Sequence, residues 1–243
     1  MERLKLIHLC MKEWEIDDNL FYKQKTLRDK IIFLLNYAIL APSTHNSQPW
    51  LFEISNNSCK IYVNSALYLK EADKDGRDLF ISLGCLIENL IIASQYFSVY
   101  KNIVYSNNLQ KISNNIKEND HFVAEIFFDN NNSNNRFIRL FDVIKKRFNA
   151  RGVFLNKHLD RELIDSFKNL NDFIDVELSL VVDSGEKEQI ANFTSNGMKL
   201  AHQNKDFRKE LSMWISNLFS SRKDGMTWKS MRVPFFVSFC VSH

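Results

Sequence analysis

Nine consecutive residues, Pro42-Ser43-Thr44-His45-Asn46-Ser47-Gln48-Pro49-Trp50, gather three hydroxyls, two carboxamides and an imidazole between two of the chain's three prolines. Proline fixes its own backbone angle and removes a donor, so Pro42 and Pro49 pin both ends of the stretch. Hydroxyls and carboxamides donate and accept alike. A loop of this kind suits a flat heteroaromatic ligand whose rim alternates donors and acceptors. The same residues also suit an ordinary polar connection between a helix and a strand. A second group lies downstream in "RFNARGVF", where Arg147, Asn149 and Arg151 fall close together. Arginine binds phosphate through a forked, permanently charged donor array. The alternative is a pair of solvated arginines at a helix C-terminus, which the helix dipole favours anyway. A third candidate, Arg208 in "NKDFRKELSMW", is equally readable as a surface arginine on an amphipathic helix.

The elements around these residues follow from hydrophobic spacing. Residues 27–41 place Leu27, Ile31, Leu34, Leu35, Ala38 and Ile39 on one helical face, and Pro42 ends the helix. Strands are predicted in "WLFEI" (50–54) and "KIYVN" (60–64), joined by the turn "SNNS" (55–58). A long helix beginning near Asp75 or Asp78 follows, apolar on almost every side, so it is predicted to be buried on most sides. "KNIVYS" (101–106) and "FVAEIFF" (122–128) are further strands. "DNNNSNNR" (129–136) has almost nothing to bury and reads as an exposed connection between two halves, 1–128 and 137–243. In the second half the spacing predicts a helix from Phe137, an alternating strand over 175–182, a helix over 187–202, and another from Asp206 with Phe207, Leu211, Trp214, Ile215 and Leu218 on one face. Near Gly225 the regular pattern stops. The apolar end, 232–243, reads as a strand or as a tail without its context.

Composition bounds the function. The chain has 243 residues, 45% hydrophobic and 25% charged, as globular domains do. A net charge of +3 is weak for nucleic-acid binding. Four scattered cysteines form no C-x-x-C pair and the histidines do not pair at metal spacing, so no metal site or disulfide framework follows. No signal-like N-terminus or apolar run of spanning length stands out in the sequence, and a cytoplasmic location with no membrane partner is expected. There is no G-x-G-x-x-G, Walker loop, G-x-S-x-G elbow or H-E-x-x-H.

The Pro42–Trp50 string closely resembles the flavin-binding segment of the nitroreductase family. There an alanine-rich helix ends in Pro-Ser-Ser, a variable residue, Asn, a small polar residue and Gln-Pro-Trp. The resemblance implies that Pro42, Ser43, Thr44, Asn46 and Gln48 line FMN, that His45 is a bystander and that Trp50 packs in the core. It also implies that Arg147, with Asn149 and Arg151, stands for the family's phosphate-binding basic segment, and that Arg208 lies where a polar or basic residue covers the flavin. In ordinary members that basic segment precedes the Pro-Ser-Ser loop. Its later position here resembles a subgroup with two nitroreductase-like halves fused in one chain, as does "DKDGRDLFISLG" through Asp75, Gly76, Arg77, Ser82 and Gly84. The similarity covers roughly residues 25 to 230. Asn149 departs from the usual Ser or Thr, and Ala150 from a frequent Asn. The implied fold is α+β, nitroreductase-like, two fused halves with the second incomplete. The implied activity is an FMN-dependent oxidoreductase drawing hydride from NAD(P)H for a small nitroaromatic or quinone-like acceptor, with no assigned catalytic side chain. A flavin-binding or storage protein, or a degenerate relative, without turnover is the second reading. Because the long apolar helix lacks its expected fused partner, either homo-oligomerisation through it or poor solubility is expected.

Overall fold

The computed structural model describes residues 3–4, 15–107, 120–130, 138–149, 154–155, 157–168, 177–215, 222 and 224–227. They group into two compact units, one made of Met1–Asn149 with Glu210–His243 and the other of Ala150–Lys209. The fold is mixed α+β.

The first unit is built on an antiparallel five-stranded sheet in the order β1-β2-β3-β5-β4. Its strands are β1 (Arg3–Leu4), β2 (Trp50–Ile54), β3 (Ser58–Val63), β4 (Tyr100–Tyr105) and β5 (Phe122–Phe128). The hairpin between β2 and β3 turns where "SNNS" predicts it. Ser55 N–H donates to Ser58 O at 2.9 Å, and the two hydroxyls lie 2.7 Å apart. Alternation sorts the faces. Phe52, Ile54, Cys59, Ile61, Val63 and Ile126 are buried. Between them Lys60, Tyr62 and Glu53 form a polar patch, with Lys60 Nζ 3.8 Å and the Tyr62 hydroxyl 3.2 Å from the Glu53 carboxylate.

Two helices supply the rest of the core. α1 (Leu27–Ala38) begins at an N-cap, Thr26, whose hydroxyl accepts from Asp29 N–H at 3.1 Å. α2 (Arg77–Tyr96) packs against α1 and against α3 (Ile138–Ile144). α2 is long and apolar enough to cross a membrane by length and composition alone, which corrects the expectation that no run reaches that length. Its sides are nevertheless largely occupied within the chain: Leu79, Leu83, Leu86, Ile87 and Leu90 are buried, and Arg77, Ile81, Gly84 and Glu88 form the exposed line. Much of the cover that the sequence reading assigned to a second copy comes from α1, α3 and the sheet.

An aromatic cluster ties these elements together. Phe21, from a six-residue 3-10 helix (Asp18–Lys23) not anticipated from the sequence, stacks on Phe97 with centroids 4.1 Å apart. Tyr96 stacks on Phe141 of α3 at 3.7 Å and 6°. The Tyr37 hydroxyl donates to Asp18 at 2.6 Å, and Lys145 pairs with the same carboxylate at 2.8 Å. The helix expected to open the second half is therefore packed on α2.

The N-terminus of α2 is held by a buried carboxylate. Asp73 accepts from the backbone N–H groups of Asp78 at 3.0 Å and Leu79 at 2.8 Å. Burial pushes its carboxyl above the usual carboxylate range, against the pull of those two hydrogen bonds. The folded protein then binds this proton at higher pH than the unfolded chain does. The stability due to Asp73 is greatest below about pH 4, where unfolded Asp titrates, and falls as pH rises through the folded value. Asp73→Asn removes that slope and also turns a donor toward one of the two amides. Denaturant unfolding between pH 4 and 7 should show the variant's deficit narrowing with rising pH; a constant deficit would contradict this assignment.

The second unit contains α4 (Arg161–Lys168), α5 (Ser184–Gln203), and the start of α6 (Lys205–Met213). Asp183 caps α5 by accepting from Glu186 N–H at 2.9 Å. Among its described residues no side chain is buried, and Phe193 and Leu200 on α5 stay exposed. The strand expected over 175–182 is not formed in its described part, residues 177–182. Leu178, Leu180 and Val182 alternate along it, but alternation alone does not make a sheet. α6 starts where expected but stops at Met213. Trp214 turns the chain, and Ile215 bridges Met226 in parallel. Residues 131–137, 216–221 and the apolar end lie outside the described residues.

Candidate functional site

The Pro42–Trp50 loop is held in an unusual backbone conformation. His45, Asn46 and Gln48 all have positive φ, at 55°, 55° and 50°. Left-handed angles in non-glycine residues are uncommon, cost on the order of 1 to 3 kcal/mol each, and gather where surroundings enforce them. Here the enforcement is visible. The Ser43 hydroxyl accepts from Gln48 N–H at 3.0 Å, closing the loop on itself. Asn46 N–H reaches Ser43 O at 2.9 Å, and Trp50 N–H reaches Gln48 O at 2.8 Å. Ser47, Gln48, Pro49 and Trp50 are buried and anchor the loop, while the Asn46 side chain is exposed at its tip.

The loop is tied to two further elements. The Thr44 hydroxyl donates to the Asp78 carboxylate at 3.2 Å, on the first turn of α2. Asn46 exchanges two hydrogen bonds with Gly225: Gly225 N–H donates to Asn46 O at 3.1 Å, and Asn46 Nδ2 donates to Gly225 O at 3.2 Å. Neither Asp78 nor Gly225 was assigned to the site from the sequence. Gly225 left one signal: it is among only six glycines and marks the point where regular patterning ends.

Arg147 follows α3 and turns toward the start of the loop. Its Nη2 donates to the carbonyl of Leu40 at 3.1 Å, two residues before Pro42, and its Nη1 donates to Asn149 Oδ1 at 3.1 Å. Half-burial lowers the Arg147 pKa from its ordinary value, with Cys85 of α2 acting in the opposite direction. Arg147 and Asn149 thus belong to the same unit as Ser43, Thr44, Asn46 and Gln48, and Arg147 is bonded to the chain two residues before the loop. Arg151 lies outside the described residues. Arg208 lies in the second unit, where its guanidinium donates to the carbonyls of His202 and Gln203 at the end of α5.

Behind the loop is a cleft lined by Ser47, Pro49, Tyr68, Asp73, Leu79 and Ser82. It encloses no more than about 200 Å³, below the roughly 300–1,000 Å³ of small-molecule sites. On its exposed side the loop carries neutral donors and acceptors along the tip, and the Arg147 guanidinium lies at its base.

Comparison with known proteins gives a short match. A 60-residue part of the chain is 33% identical to proteins of two strains of Mycobacterium tuberculosis, each named "Putative NAD(P)H nitroreductase". The match covers 25% of this chain and 17% of each relative, so it spans under a fifth of the relatives' length. No family model matches the chain.

Proposed function

We propose that this chain binds FMN and acts as an oxidoreductase of the nitroreductase type, passing hydride from NAD(P)H to a small nitroaromatic or quinone-like acceptor. The observation that carries the reading is the strained loop at Ser43–Gln48 lying next to Arg147, since strain enforced at a polar loop is a mark of ligand sites. The short similarity to proteins named for NAD(P)H nitroreduction supports the same chemistry. The donor set fits the cofactor. Arg147, steadied at one arm by Asn149 and at the other by the Leu40 carbonyl, offers its charge and its other N–H groups to the phosphate. Ser43, Thr44 and Asn46 offer hydroxyl, carboxamide and backbone groups to the ring rim, and buried Gln48 supports the loop that presents them. Bound FMN would supply the two-electron chemistry, which no side chain here provides. The protein's part is to position the ring, set its hydrogen bonds and limit water. Arg151 and Arg208 enter this proposal only through the sequence resemblance, as further phosphate or ring contacts. We place the activity in a fused, two-half nitroreductase-like architecture acting in the cytoplasm, alone or as a homo-oligomer.

The test is anaerobic mixing of the FMN-loaded protein with NADH or NADPH. Bleaching of the flavin absorption is expected, followed by recovery when a quinone is added. Flavin retained but never bleached would replace this reading with binding without turnover, and a protein that retains no flavin would overturn both.

A further inference from the structure

We infer that the segment at Gly225 is a positioning element that fixes the Asn46 carboxamide, so that the loop presents a hydrogen-bond acceptor, Asn46 Oδ1, to an N–H group on its ligand's rim. The inference rests on the loop being the flavin-binding loop proposed above, and adds a residue and a selectivity to it.

Gly225 O is an acceptor only, so the Asn46 group that faces it at 3.2 Å must be the NH2. This settles which way the carboxamide points and turns Oδ1 away from Gly225, on a residue that is exposed as a whole. The reciprocal bond, Gly225 N–H to Asn46 O at 3.1 Å, fixes the backbone of the same residue. Asn46 sits at φ 55°, a conformation that needs such support. Two donors and two acceptors thus close a clasp between positions 179 apart in sequence.

Position 225 is restricted to glycine by two independent features. Its φ is +83°, and a Cβ there would lie 2.7 Å from the Trp214 carbonyl oxygen. That close approach is fixed in turn, because Met226 N–H donates to the same oxygen at 2.7 Å and Trp214 is buried. The clasp therefore stands on a rigid base.

The experiment has two arms. In the first, amide hydrogen exchange is followed in the ligand-free wild type and in Asn46→Ala, an exposed position whose truncation should not unfold the protein. The Gly225 amide is expected to be protected in the wild type and to exchange roughly tenfold faster in the variant, the loss of one net hydrogen bond. An unprotected amide, or a rate unchanged by the substitution, would overturn the clasp. In the second arm, FMN and its N3-methyl derivative, which lacks the ring N–H, are titrated into the wild type and Gly225→Ala. The wild type is expected to prefer FMN by about tenfold or more, and the variant to lose that preference. Equal affinity of the wild type for the two flavins would overturn the acceptor assignment. Binding of neither flavin by a protein with an intact clasp would sink the flavin reading while upholding the clasp.

Discussion

Phe141→Ala is expected to lower the folding free energy by about 3–5 kcal/mol, the range for removing a large buried aromatic. Phe141 is 1% exposed. It stacks on Tyr96 at 3.7 Å, meets Phe97 edge-on at 5.5 Å and lies 4.9 Å from Tyr37. Its helix, α3, has seven residues, far too few to be stable by itself. The ring is thus the main bolt holding α3, and with it the segment that carries Arg147, against α1 and α2. Urea unfolding of the variant checks the stability. Phe141→Leu, which keeps much of the volume, should cost distinctly less. A loss under about 1 kcal/mol for Phe141→Ala would show that α3 is not a working part of this core.

Arg147→Ala is expected to weaken FMN binding by about 1.5 to 3 kcal/mol, the worth of a charge-assisted hydrogen bond, which is about a ten- to 150-fold rise in Kd. Arg147→Lys keeps the charge but not the fork, and should fall between the two. The substitution also removes the donor at Leu40 O, so the base of the loop should loosen as well. Isothermal titration with FMN against riboflavin separates these effects. If the arginine holds the phosphate, the variant should lose distinctly more affinity for FMN than for riboflavin, whose smaller loss reports the loosened loop. Equal losses for the two ligands would assign Arg147 to loop structure alone.

The sequence carried much of the first unit because its elements repeat their signal over several turns or pleats. α1, α2, β2 and β3 are set by apolar residues at helical or alternating spacing, and Pro42 and the Ser55–Ser58 turn punctuate them. The 3-10 helix at Asp18–Lys23 has one buried anchor, Phe21, which is too little for a period. The strand expected over 175–182 is not formed in its described part, 177–182, because alternation states only a preference for a pleated surface. At the site, residue types were legible and conformation was not. Nothing in "STHNSQ" announces three left-handed residues, which depend on bonds made elsewhere. The Leu40 carbonyl that meets Arg147 and the Gly225 backbone that meets Asn46 are main-chain groups, invisible to any reading of side-chain chemistry.

The central claim is that one flavin site is built from the Ser43–Gln48 loop and Arg147. A loop that occurs once and an arginine segment that occurs once make one site per chain. Its most direct test is a fluorescence titration of the purified protein with FMN at concentrations well above Kd, read for stoichiometry. The account predicts a sharp end point at one FMN per chain, abolished or moved to much higher concentration in Arg147→Ala. A titration with no end point, or one that saturates at two equivalent flavins per chain, would contradict it.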